Sequence, residues 1–119
     1  MEDFNLKYAQ HPSLDLLKNF LLKHGAFKII KKKEIFSIQG KKNLKGAYIK
    51  SGAFRYTRSD DKGNEHIIGY AFPHEFLGSL DTWINPDQPS PVTIEAICDS
   101  EIYDITYPAV KQFFNTNME

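Results

Sequence analysis

The sequence predicts a mostly β domain with flanking helices, built as an eight-stranded double-sheet jelly roll. Three observations carry this. From Gly25 onward, short apolar segments alternate with a period of two, and their ends are marked by Gly, Asn or Asp. Helical periodicity is confined to the two ends of the chain. The 119 residues, 41% of them apolar, make one ordinary domain with enough side chains for a single core.

Pro12-Ser13, followed by Leu14, Leu17 and Leu21 and closed by His24-Gly25, predicts the first helix. Ser13 can cap the free N–H groups, and Gly25 is expected to supply a left-handed exit. Leu14, Leu17 and Leu21 share a face with Phe20 and Leu16 beside it, so this helix packs against something. Strands are expected at 27–30, 35–38, 47–50, 53–58, 65–72, 76–78, 92–97 and 102–106. In the fifth, His66, Ile68, Tyr70 and Phe72 face one way and Ile67, Gly69 and Ala71 the other. Val92, Ile94, Ala96 and Cys98 repeat the pattern, which makes Cys98 a buried small apolar residue rather than a nucleophile.

Turns are expected at Gln39-Gly40, Ser51-Gly52, Asp60-Asp61-Lys62-Gly63-Asn64 and Asp99-Ser100, where Gly, Asn or Asp lets the backbone reverse. The stretch 85–91 holds three prolines, which cannot donate to a sheet, and reads as a loop. Thr106 can cap a short final helix with Pro108 in its first turn and Val110, Phe113 and Phe114 on its apolar side.

Composition removes several function classes. Fifteen basic and fifteen acidic residues leave a net charge of zero, so the basic excess usual in a free-standing nucleic-acid binder is missing. The balance hides an asymmetry: residues 1–50 carry 11 lysines against 4 acids (+7), and residues 51–119 carry 4 bases against 11 acids (−7). One cysteine makes no disulfide framework. No apolar run approaches the roughly 18 residues of a membrane helix, and the acidic start, Met1-Glu2-Asp3-Phe4, is unlike a signal peptide. A cytoplasmic protein without membrane contact is the expectation.

Enzyme chemistry finds little support. The four histidines, His11, His24, His66 and His74, form no His-x-His pair of the kind a cupin metal centre uses. His66 reads as a strand residue and His74 as a turn residue. No Gly-x-Ser-x-Gly elbow or phosphate-loop signature occurs. Neither catalysis nor a resident metal or cofactor is expected.

Gly40, Tyr48-Ile49-Lys50-Ser51-Gly52 and Asp61-Lys62-Gly63-Asn64-Glu65 are more telling together. Phe72-Pro73-His74-Glu75-Phe76-Leu77-Gly78 follows, then Ile94-Glu95-Ala96-Ile97 and Asp99-Ser100-Glu101-Ile102. Over roughly residues 13–115 the chain resembles a cyclic-nucleotide-binding domain, most of all the N-terminal sensor domain of Crp/Fnr-type bacterial transcription regulators. The resemblance implies a cyclic-nucleotide-binding-like β-roll with a phosphate-binding cassette after Gly78. In that family the cassette reads Gly-Glu-Leu, with an Arg about ten residues later; the Glu accepts from the ribose hydroxyl and the Arg pairs with the cyclic phosphate.

Here Ser79 stands at the Glu position, in Gly78-Ser79-Leu80, and Ser90 at the Arg position, followed by Pro91 and Val92. No Arg or Lys occurs between Lys62 and Lys111. A phosphate withdrawn from water needs a charged, preferably bidentate partner, which Ser is not. The expected pocket is therefore lined by Tyr70, Gly78, Ser79, Leu80, Trp83, Ser90, Pro91 and Val92, takes a small-molecule effector, and binds cyclic AMP and cyclic GMP weakly. The family's DNA-reading helix-turn-helix has no counterpart in residues 1–119, so direct nucleic-acid binding by this chain is not expected; a homodimer is left open. A protein-interaction module on the same fold and a cupin-like metalloenzyme are the alternatives.

Overall fold

The computed structural model describes residues 13–43, 45–78 and 88–106, with Pro108, Ala109, Gln112, Phe113 and Asn115. Helix α1 (Ser13–His24) leads into eight strands: β1 (Ala26–Ile30), β2 (Ile35–Ser37), β3 (Lys45–Ser51), β4 (Phe54–Ser59), β5 (Glu65–Ala71), β6 (Phe76–Leu77), β7 (Thr93–Ala96) and β8 (Ser100–Thr106). They form two antiparallel four-stranded sheets. Sheet I has the order β1-β8-β3-β6 and sheet II the order β2-β7-β4-β5. Each predicted strand is present, with ends shifted by a residue or two.

The sheets face each other across one apolar core. Ile49, Ile102 and Leu77 from sheet I meet Phe54, Ile94 and Val92 from sheet II and the loop before β7, all essentially fully buried. Period-two alternation is what allows this, since each strand gives every second side chain to the interior. The opposite face of sheet I carries a row of aromatic rings in register across its four strands: Phe27, Tyr103, Tyr48 and Phe76. Leu17 and Leu21 of α1 and Phe113 close over the Tyr48 and Phe76 part of that row, forming a second apolar cluster. Pro108, Ala109, Gln112, Phe113 and Asn115 are helical, as the sequence predicts for this end, while Val110 and Phe114 lie outside the described residues.

Three local expectations are corrected. Gly25 is not left-handed, because the positive-φ glycines described are Gly40, Gly52, Gly63 and Gly78. Its small size serves a close approach instead: a Cβ there would lie 2.5 Å from the Leu21 carbonyl oxygen and 3.0 Å from that of Asp104. Cys98 is exposed, because β7 ends at Ala96 and the alternation does not extend into the following turn. The strict alternation of β5 breaks as well. Tyr56 pairs with Gly69 and Thr57 with Ile67, so Ile68 is an extra, unpaired residue and the facing of the strand changes across this bulge.

Candidate ligand site at the Gly78 end of the roll

The turn between β5 and β6 sets the approach to Gly78. Pro73 and His74 occupy its centre, and the Glu75 N–H donates to the Phe72 carbonyl at 3.1 Å. The Glu75 carboxylate in turn accepts from the Phe72 N–H at 2.7 Å. His74 sits at φ 73°, a left-handed conformation that normally favours glycine. Two contacts hold it there. Its N–H donates to the Ile49 carbonyl at 2.8 Å, and its Nδ1 lies 3.0 Å from the Tyr48 hydroxyl. The turn is thereby fastened to β3, and Tyr48 joins it to the aromatic row beneath α1.

β6 then pairs with β3, Ala47 opposite Leu77, and is followed by Gly78 with φ 123°. The buried Gly78 N–H donates to the Tyr56 hydroxyl at 3.0 Å. Tyr56 belongs to β4, so this hydroxyl links sheet II to the residue that follows β6 of sheet I. Tyr56, Leu77 and Val92 also share the central core, which brings the two sides of the expected pocket together.

Ser90 is buried, and its hydroxyl turns into its own loop. It donates to the Val92 carbonyl at 2.7 Å and accepts from the Val92 N–H at 3.3 Å. The backbone of Ser90 is fixed too: its carbonyl accepts from the Gly40 N–H at 2.8 Å, and its N–H donates to the Lys41 carbonyl at 2.9 Å. Pro91 is half-buried beside it. Tyr70 stands apart from these residues. It is opposite Arg55 on the outward face of sheet II, half-exposed, with its ring stacked 6.2 Å from that of Phe72. Ser79, Leu80 and Trp83 lie outside the described residues.

Sequence reasoning missed the ionic group on the inward face of sheet I. Asp104 of β8 lies opposite Ala26 and Ala47, and Ala47 is in turn opposite Leu77. The buried Asp104 carboxylate takes Lys28 Nζ at 2.6 Å and Lys45 Nζ at 3.8 Å, both on Oδ2. Asp104 raises the pKa of Lys28 above its ordinary value, whereas the neighbouring Lys28 ammonium pushes Lys45 below its own. No local signal foretells this group, since its members come from three strands. Tyr56 was missed for the same reason.

Residues 27–117 match the cyclic nucleotide-binding domain family. No curated protein matches the sequence. Among solved structures, the fold is similar to CLP of Xanthomonas campestris, described as a c-di-GMP responsive global regulator, with TM-score 0.73, 21% identity, and 87% of this chain against 49% of that one. It is also similar to a putative cAMP-binding regulatory protein from Silicibacter pomeroyi (TM-score 0.74, 18% identity, 87% of this chain, 47% of that one). The catabolite activator protein of Thermus thermophilus gives TM-score 0.73 at 15% identity over 92% of this chain and 49% of its own. The chain spans about half the length of these three proteins.

Proposed function

The chain belongs to the cyclic nucleotide-binding domain family, and on that premise we propose that it is a non-catalytic, ligand-sensing domain of Crp/Fnr type that does not hold cyclic AMP or cyclic GMP tightly. The observation that carries this is the state of Ser90. It stands where the family's arginine would meet the phosphate, and its hydroxyl is engaged with Val92 while its backbone is engaged with Gly40 and Lys41. A charge-assisted contact to phosphate contributes roughly 1.5–3 kcal/mol, so its loss weakens binding at least ten- to a hundredfold.

An effector in the roll would act through the segment after β8. Phe113 packs on Phe20 of α1 with ring centroids 5.1 Å apart, beside the Tyr48 that contacts His74. Occupancy near Gly78 would bias this packing and so the placement of whatever follows it in a longer, cytoplasmic regulator, in which any DNA contact would belong to another part. Calorimetry with cyclic AMP and cyclic GMP tests the reading: dissociation constants above about 100 μM are expected, and a value below about 10 μM overturns it. A thermal-shift screen of small molecules then reports whether the roll takes any other effector.

One observation favours a protein-contact role as a second reading. β5 is an edge strand, and Ile67, Ile68, Tyr70 and Phe72 on or beside it are all exposed.

A further inference from the structure

We propose that Lys28 and Lys45, gathered by Asp104, form an anion site on the inward face of sheet I, which takes the phosphate or carboxylate group of the effector. This rests on the reading of the roll as an effector pocket and adds the chemical class of the effector. One carboxylate neutralises one ammonium, and Lys28 at 2.6 Å satisfies that need. Lys45 stands 3.8 Å from the same oxygen, inside ion-pair range but beyond a hydrogen bond. It is a second cation sharing one carboxylate oxygen with the first, and the Lys28 ammonium beside it lowers its pKa. The group therefore carries a net positive charge, and a fourth, anionic member would relieve the repulsion. Asp104 is buried, whereas the side chains of Lys28 and Lys45 are 40% and 45% exposed, so a ligand can reach the ammonium groups without unpacking the core.

Position gives the site its meaning. Lys45 is two residues along β3 from Ala47, whose partner Leu77 immediately precedes Gly78. The Gly40 and Lys41 backbone, bonded to Ser90, lies in the loop that runs into Lys45. On this proposal sheet I offers its cations from the strand that pairs with the segment leading into Gly78. Each ammonium keeps N–H donors beyond the shared Oδ2 contact, and two such groups suit an oxyanion with several acceptor oxygens.

The test is a titration of the isotope-labelled chain with inorganic phosphate at fixed ionic strength, followed by amide resonances, with sodium chloride as the reference salt. Saturable shifts at Lys28, Lys45 and Asp104, with a millimolar dissociation constant, are expected for phosphate and not for chloride. Lys45→Gln should weaken this at least fivefold, Lys45→Arg should retain it, and Lys62→Gln on the β4–β5 turn should leave it unchanged. Lys45 is chosen because Lys28→Gln strips Asp104 of its closest partner and threatens folding; the same spectra show whether each variant is folded. Equal drift with phosphate and chloride, or unaltered phosphate binding in Lys45→Gln, overturns the site. An uncharged effector from the thermal-shift screen that binds Lys45→Gln as well as the parent overturns the claim that this site takes an anionic group of the effector and leaves the sensing reading intact. Saturable phosphate binding lost in Lys45→Gln, with no effector from the screen, upholds the site and overturns the sensing reading.

Discussion

The two sheets share one core yet differ on their outward faces. Sheet I sets an aromatic row, Phe27-Tyr103-Tyr48-Phe76, partly beneath α1 and Phe113. Sheet II presents Ile35, Glu95, Arg55 and Tyr70 in the corresponding row, with an Arg55–Glu95 ion pair at 2.6 Å and exposed apolar residues at both ends. The same period-two pattern produced both faces. What separates them is the partner: a helix covers one, and no described element covers the other. Stability outside the core is therefore concentrated on sheet I, and the first prediction measures that imbalance. Leu21→Ala, at a fully buried position, should cost about 2–5 kcal/mol in denaturant unfolding. Tyr70→Ala on sheet II should stay within about 0.5 kcal/mol. Equal losses would show that sheet II is also packed against something.

The next largest effect falls where the sheets are joined. Tyr56→Phe keeps the ring in the core but leaves the buried Gly78 N–H without its hydroxyl partner, at a cost of about 1–3 kcal/mol. Because Gly78 directly follows β6, amide exchange at residues 76–78 should accelerate more than exchange in β1 or β8. A uniform change across both sheets would mean that the bond serves general packing rather than the position of Gly78.

The outline of this domain was legible because alternation and turn residues are local. Eight strands, the helical ends and the turn placement of His74 all follow from spacing. The errors were local as well, each at a point where a neighbour overrode the pattern: a bulge at Ile68, the early end of β7 before Cys98, and the approach of Asp104 to Gly25. The site was less legible. Family resemblance pointed to Gly78 and Ser90, and the structure links their neighbourhoods through Tyr56, Leu77 and Val92. The Lys28–Asp104–Lys45 group could not be read at all, since its distances arise only when β1, β8 and β3 come into register.

The sheets should also fail at opposite ends of the pH scale, and the smallest prediction uses this. On sheet I, Asp104 raises the pKa of Lys28, so its contribution to stability is complete below about pH 10.5 and is lost as pH climbs through the still higher folded value. Lys45 works the other way and softens that alkaline limb, because its pKa is lowered by Lys28. On sheet II, the β4–β5 turn is closed by Asp60. Its carboxylate lies 3.1 Å from His66 Nε2 and accepts from the Asn64 and Lys62 N–H groups at 2.9 Å each. These contacts, His66 first, hold the Asp60 pKa below its ordinary value of 3.8, so they stabilise the turn above that pH and are lost as pH falls through the lower folded value. The turn is fully exposed and screened by salt, so the loss should be local. Amide exchange, corrected for its intrinsic pH dependence, should show residues 60–66 opening at acid pH while β1 and β8 remain protected, with Asp60→Asn removing the acid transition. Acid opening of β1 and β8 together with the turn would show that the two sheets respond as one unit and that the contrast between them ends at their outward faces.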